Sequence, residues 1–434
     1  MRAAYLAATS VLFALAGASL AQPGSPPPTP YRTGTVFASA IPNEPTASPA
    51  TMSEKDYCPT VVDNGCCSCC GPCFRINAEY LLWWTKSAPL GPPLLTTTTG
   101  DPFSATSGGL ADPDTVVLIG NSGASYDVFS GLRLTVGADL AGGCALEVSG
   151  FLLEKQTNIL SFGSNANGVP FLFRPVFNTN TGNPNAGELV ALEGVFSGST
   201  TVWTGSRLWG FETNLTGSLG RWGQLSLDGL IGFRYLRLDE DLRISSFSTG
   251  VGGASGTIAF NGGVTDTVIT DERFGTRNQF YGAQVGLRSA TRWDRFDLAT
   301  TVKVALGAIH QVIDITGTTT GISAGTPTTV NGAVLAVASN IGRFARDDFA
   351  VVPELNLQFG YAVNDRLRTY IGYDFLYCSS VVRPGDQINN RVDDRQVPMS
   401  PLFVPGFTGN SPPPPFQRAD FWAQGINLGI EFRY

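Results

Sequence analysis

The sequence predicts an all-β protein: an antiparallel up-and-down transmembrane β-barrel of about 10–12 strands behind a flexible N-terminal tether. Three observations predict it. Apolar and polar residues alternate with period two in about ten separate segments, the mark of strands with one apolar face. The connections between those segments run long and short in alternation, as in outer-membrane barrels with short periplasmic turns and long extracellular loops. Only 15% of the 434 residues are charged while 43% are hydrophobic. Beyond the N-terminus no stretch approaches the roughly 20 apolar residues a membrane-crossing helix needs. Aromatic residues at 11% exclude a disordered chain. A net charge of −7 leaves no basic footprint for nucleic acid.

The chain divides into four parts. Residues 1–21 read as a signal peptide: Arg2 is the positive start, residues 3–17 the apolar core, and Ser19-Leu20-Ala21 the small-residue cleavage site. Residues 22–57 form a Pro/Thr/Ser-rich linker that includes Pro26-Pro27-Pro28 and buries too little apolar surface to fold alone. Residues 58–73 hold Cys58, Cys66, Cys67, Cys69, Cys70 and Cys73, candidates for local disulfides in an exported protein, with the pairing left open. Their spacings also resemble metal-ligand spacing, but no second CxxC pair or His cluster completes such a site, and no metal is expected. Residues 74–434 are the barrel.

Within it, residues 74–84 set Ile76, Ala78, Tyr80, Leu82 and Trp84 against Arg75, Asn77 and Glu79. Residues 130–140 set Leu132, Leu134 and Val136 against Gly131, Arg133, Thr135 and Gly137. Similar segments lie at about 144–154, 206–217, 223–237, 277–289 and 298–309. Residues 353–361 and 367–377 continue the series. The final strand sets Ile426, Leu428, Ile430, Phe432 and Tyr434 against Gly425, Asn427, Gly429, Glu431 and Arg433. Long connections are expected at about 85–129, 155–205, 238–276, 310–348 and 379–420, two of them long enough to hide a further hairpin. Trp83, Trp84, Trp203, Trp209, Trp222, Tyr235, Phe421 and Trp422 sit near strand ends and suit aromatic girdles.

The polar strand faces must point inward, because an Arg or Lys facing lipid near the midplane costs about 2–4 kcal/mol. The expected lumen-lining residues are therefore Arg75, Glu79, Arg133, Glu147, Glu212, Asp228, Arg234, Arg288, Lys303, Glu354, Arg368, Asp374, Glu431 and Arg433. Acids and bases balance, so the interior reads either as a selective water-filled path or as a paired plug. Ten to twelve strands lie nearer the width that side chains fill than that of an open channel. Gly131, Gly137, Gly232, Gly286, Gly360 and Gly429 share the inward faces, where bulk is limited.

Catalytic patterns are lacking. The single histidine, His310, reads as a solvated loop residue, no GxSxG elbow or phosphate loop occurs, and the stretch 250–256 reads as a flexible glycine-rich loop. No enzyme activity and no cofactor are expected. Cys144, beside a short turn, and Cys378, at a long loop, are expected on opposite membrane faces, too far apart to bridge.

Several motifs resemble the beta barrel porin-7 family of planctomycete-type outer-membrane β-barrels. They are AEYLLWW (78–84), RLWGFETNL (207–215), GFRYLRLDEDL (232–242), NQFYGAQVGLR (278–288), VVPELNLQFGY (351–361), GYDFLYCSSVVRPGDQI (372–388) and the terminal FWAQGINLGIEFRY. The resemblance spans 74–434 and implies an outer-membrane barrel; it supplies no catalytic residues. The expected function is passive diffusion of small solutes. The alternative is a closed-lumen structural or surface-interaction barrel acting through its extracellular loops, with Arg383-Pro384-Gly385-Asp386 and residues 412–415 as loop features. Expected partners are outer-membrane lipid, the barrel-assembly machinery reading the strand that ends in Tyr434, and small solutes if the lumen is open.

Overall fold

The computed structural model describes residues 74–140, 143–251 and 258–434. The expected signal peptide, linker and six-cysteine segment lie outside the described residues, as does most of the glycine-rich stretch 250–256. Ten strands form the wall: β1 (Phe74–Thr85), β2 (Phe129–Asp139), β3 (Cys144–Leu153), β4 (Phe196–Trp222), β5 (Leu225–Gly250), β6 (Thr267–Trp293), β7 (Phe296–Ser323), β8 (Gly342–Ala362), β9 (Leu367–Val381) and β10 (Ala419–Arg433). Each pairs antiparallel with its successor, and β10 pairs with β1 from Arg433 opposite Arg75 to Ala423 opposite Thr85, which closes the ring. Closure removes sheet edges and leaves every ring strand with two partners. No described helix is long and apolar enough to cross a membrane; the wall is made of strands.

The ten alternating segments all lie in ring strands, but much of the expected long connections is strand as well. β4 to β7 are 26 to 28 residues long, well beyond the 9–11 a membrane-spanning strand needs. The reason lies in the phase of the pattern. Along β5 the outward positions run Ile231, Phe233, Tyr235 and then Arg237, Asp239, Asp241, Arg243; the inward ones run Asp228, Leu230, Gly232, Arg234 and then Leu236, Leu238, Glu240, Leu242, Ile244, with Leu230 and Glu240 the exceptions to each half. The backbone keeps its period while the polarity of the two faces exchanges at Tyr235–Leu236. The same inversion falls at Trp209–Leu208 on β4, Tyr281–Phe280 on β6 and Phe349–Ala350 on β8. Short of it, near the short turns, the wall is apolar outside and polar inside. Past it, the outer face turns polar, and the inner face becomes mainly apolar with a few buried polar groups, Glu240, Glu272 and Gln311 among them.

Two additional short strands extend the far section. Gln156–Gly163 pairs with the outer half of β4, and Thr326–Asn331 with the end of β7. On the inner side of this wall, pieces of three long connections meet as a five-stranded sheet: Leu95–Thr98, Thr115–Ile119, Leu172–Asn178, Asn183–Ala191 and Arg391–Val392. Among the described residues neither Gln156–Gly163 nor Thr326–Asn331 adds a member to the closed ring of ten; the long connections fold over its mouth instead. Cys144 opens β3 beside a short turn, Cys378 sits near the far end of β9, and both are free thiols. His310, expected in a loop, lies inside β7 because the strand runs on past it.

Candidate functional site

The barrel interior gathers the charged strand positions into a layered ion-pair network. Several contacts join strands that are not neighbours in the ring, which only side chains on its inner face can do. Nearest the short turns, Arg288 on β6 forks onto Glu147 on β3 at 2.7 and 2.8 Å. Arg75 reaches Asp139 at 3.2 Å and Glu147 at 3.5 Å, and Asp228 is the register partner of Arg288. Arg368 binds Asp297 at 2.5 Å and Glu431 at 3.2 Å, and Arg433 donates to Glu431 at 2.6 Å.

A second layer has two centres. On one side Arg133 spans from β2 to Glu79 and, across the ring, to Asp374 on β9, both at 3.1 Å. Glu79 also accepts from the Tyr370 hydroxyl at 2.8 Å and from Asn427 at 2.7 Å, while Asn356 donates to Asp374 at 2.6 Å. On the other side Lys303 lies 2.7 Å from Glu212 and 2.9 Å from Glu354, and Arg234 binds the same two carboxylates. Two cations and two anions thus alternate in a closed square drawn from β4, β5, β7 and β8. Charges taken from water need such complete pairing, because a partner left alone in the interior carries its whole desolvation cost. Glycine makes room for the layer: a Cβ on Gly429 would sit 2.1 Å from the Tyr370 ring, and one on Gly232 would sit 2.0 Å from the Thr213 carbonyl.

Directly above lies an apolar layer. Leu81, Trp83, Phe129, Leu153, Leu208, Leu236, Leu238, Phe280, Ile309 and Phe421 form one buried cluster with Leu376 and Cys378. Trp83 and Phe421, expected in the aromatic girdle, are 0% and 1% exposed and point inward. They occupy the strand parity opposite to Trp84 and Trp422. The Arg133 guanidinium sits beneath the Trp83 ring at 5.4 Å and the Phe151 ring at 5.8 Å, joining the charged and apolar layers. A void of about 20 Å³ remains beside Arg133, Glu212, Arg234 and Glu354, room for a water molecule.

A second apolar cluster lies nearer the mouth. Inward residues of the far strands, Val202, Leu242, Ile244, Phe274, Ile313 and Ile315, pack in one cluster with loop residues Leu94, Leu95, Ile119, Leu172, Val334, Leu335 and Val337. Arg383 is buried, binds Glu240 at 2.7 and 2.9 Å and donates to the Ser87 carbonyl at 2.8 Å. Next to it the Val382 backbone exchanges two 2.8 Å hydrogen bonds with the Asn278 side chain inside β6. The Arg383–Asp386 motif, read from sequence as a surface loop feature, is therefore in large part an internal tie. Its charge is paired within the fold, and a Cβ on Gly385 would meet the Pro89 carbonyl at 1.9 Å. Arg174 binds Glu188 at 3.2 Å and also Glu272, whose other oxygen accepts from the Leu335 amide at 2.6 Å. Burial, and then the nearby Glu272 charge, push the Glu188 carboxyl up to about 7 against the pull of Arg174.

Sequence reasoning missed Asp139, which was assigned to the short turn although it ends β2 on the inward parity, and Asp297, one residue before the expected start of its strand; these two carboxylates tip the charged layers toward acid. It also missed the inward apolar layer, because Leu236, Leu238 and Phe280 follow the phase inversion. The six cysteines proposed for disulfides lie outside the described residues.

The family model described as Putative beta barrel porin-7 (BBP7) matches residues 76–434. No curated protein matches the sequence. Among solved structures the chain is similar to the outer-membrane protease OmpT from Escherichia coli, at 10% identity and a TM-score of 0.37, over 84% of this chain and 97% of that one. It is also similar to the P. putida toluene transporter TodX, at 8% identity and TM-score 0.18, over 84% and 90% of the two chains. An anion-selective porin from Comamonas acidovorans shows 10% identity and TM-score 0.14, over 84% and 99%.

Proposed function

This chain belongs to the beta barrel porin-7 family of outer-membrane β-barrels, and we propose that it is a member whose lumen is closed at rest and whose far section is its working face. The observation that carries this reading is the apolar layer of Leu81, Trp83, Leu236, Leu238, Phe280 and Phe421 across the inside of the ring. Water and ions do not cross a filled layer of hydrocarbon side chains, whatever charges line the layer beneath it. The paired charges then act as a structural core that holds the wall together. The loops folded over the mouth present an outer surface for interaction. Outer-membrane lipid around the apolar band, and assembly machinery acting on β10 with its terminal Tyr434, are the partners this reading requires. A catalytic role is not proposed: His310 faces outward against Asp347 at 2.8 Å rather than toward a nucleophile.

Passive diffusion of small solutes is the second reading, favoured by the family's description as porins and by the charged inner layers. It requires the apolar layer and the segment after Val381 to move aside. Single-channel recording on folded protein separates the two. The closed-lumen reading expects a quiet baseline, and steady openings in the unmodified protein overturn it.

A further inference from the structure

On the outward face of β4, β5 and β6, the row above the polarity inversion is basic. Arg207, Asp239 and Arg277 are register partners on these three strands, with Arg237 one step lower beside Trp209. Asp239 holds two guanidiniums at once: Arg237 at 2.7 and 3.1 Å and Arg277 at 3.1 Å. Arg207 is exposed and, among the described residues, has no ion-pair partner. Three positive charges thus stand against one negative on a chain whose net charge is −7.

A second observation lies just beneath. Trp209, Phe211, Tyr235 and Tyr281 interleave across the same three strands, with Tyr235 5.2 Å from Trp209, 5.3 Å from Phe211 and 5.0 Å from Tyr281. Gln279 donates to the Tyr235 hydroxyl at 3.0 Å and to the Tyr281 hydroxyl at 3.3 Å, so both polar ring tips point up toward the arginines. Amphipathic rings of this kind mark the headgroup level. The basic excess is local: at the corresponding level β8 presents Asp347 against His310, and Arg418 is neutralised by Asp348.

We propose that this patch binds a phosphate-bearing lipid of the outer leaflet. The acyl chains lie on Leu215, Ile231, Phe233 and Val285, the glycerol or sugar backbone on the aromatic cluster, and the phosphate on Arg207 and Arg277, with Arg237 beneath. Guanidinium forks match phosphate oxygens in geometry and charge. A soluble anion would gain nothing from the aromatic and aliphatic surface below, whereas a lipid covers both.

The test uses the full chain, folded in neutral detergent micelles, titrated with diphosphorylated lipid A or with the same lipid stripped of both phosphates, and read by native mass spectrometry. The phosphorylated lipid should stay bound at one per chain and the stripped one should not. The R207A/R277A variant should weaken retention roughly thirtyfold, given the attraction each basic residue exerts on an anionic surface. R221A/R366A, with equal charge removed at the short turns, should bind like wild type. If the double variant loses the heat-modifiable gel shift of a folded barrel, R207Q alone serves in its place with a smaller loss expected. Equal retention of the two lipids overturns the proposal, as does unchanged affinity in the folded R207 variants. So does inorganic phosphate displacing the lipid at equal concentration, since that assigns the patch to a free anion.

Discussion

At the scale of single residues, charge inside this barrel is held by completeness of pairing. Arg133 is the clearest case, since it alone answers both Glu79 and Asp374. Replacing it with alanine strands two buried carboxylates, and the loss of one partner of a buried pair costs about 3–5 kcal/mol. R133A should therefore lower the free energy of unfolding, measured by guanidinium titration in micelles, by that amount, while R221A at an exposed turn should leave it within about 0.5 kcal/mol. Glu188 gives a pH signature in the far section. Its folded-state carboxyl titrates near 7, above the ordinary value of 4.5, so between those values the folded chain binds a proton that the unfolded chain has released. Stability is fully present below about pH 4.5 and falls as pH rises through about 7. Wild type should unfold at lower temperature at pH 7.5 than at pH 5, and E188Q should flatten that difference. An unaltered pH dependence in E188Q would assign it to other groups.

Among elements, the long strands carry two environments in one continuous ladder. Period-two alternation made all ten strands legible, because each near-section strand has one apolar face. It cut them short on the far side, at 206 on β4 and 237 on β5, because apolar residues were expected on the outer face throughout. Past Tyr235 the sequence still alternates, with Leu236, Leu238 and Leu242 now inward. Nothing in residue types alone separates a phase inversion from a strand end; the register does. The same cause hid the apolar layer and misassigned Trp83, which stands next to a true girdle residue but on the other face. Parity grouped the charged positions on one strand face, whereas their partners across the ring were not readable, since a contact such as Arg133 with Asp374 depends on closure. A paired substitution locates the membrane boundary that the inversion implies. Ile231, 60% exposed on the near section, should tolerate arginine poorly, at about 2–4 kcal/mol. Phe247, 41% exposed on the same face of the same strand but beyond the inversion, should accept it within about 0.5 kcal/mol. Equal costs measured by unfolding in lipid vesicles would contradict the boundary.

Over the whole molecule, a chain poor in charge resolves into a barrel with two interiors stacked end to end. The near one is polar and answers a lipid exterior; the far one is apolar and answers water. Loop segments 88–124, 171–192 and 333–341 and the stretch after Val381 fill the second, so the far section has a core like that of a soluble domain. The void of about 20 Å³ among the ion pairs and the hydrocarbon layer beside it support the proposed closed lumen more directly than barrel width does. The most direct measurement is conductance in planar bilayers of the wild-type protein beside L236A/F280A, which trims the layer without touching the charged residues. Folded wild type should give no channel events, and the trimmed variant should give discrete openings. Stable openings of the wild type, with a conductance the trimming does not change, would contradict it.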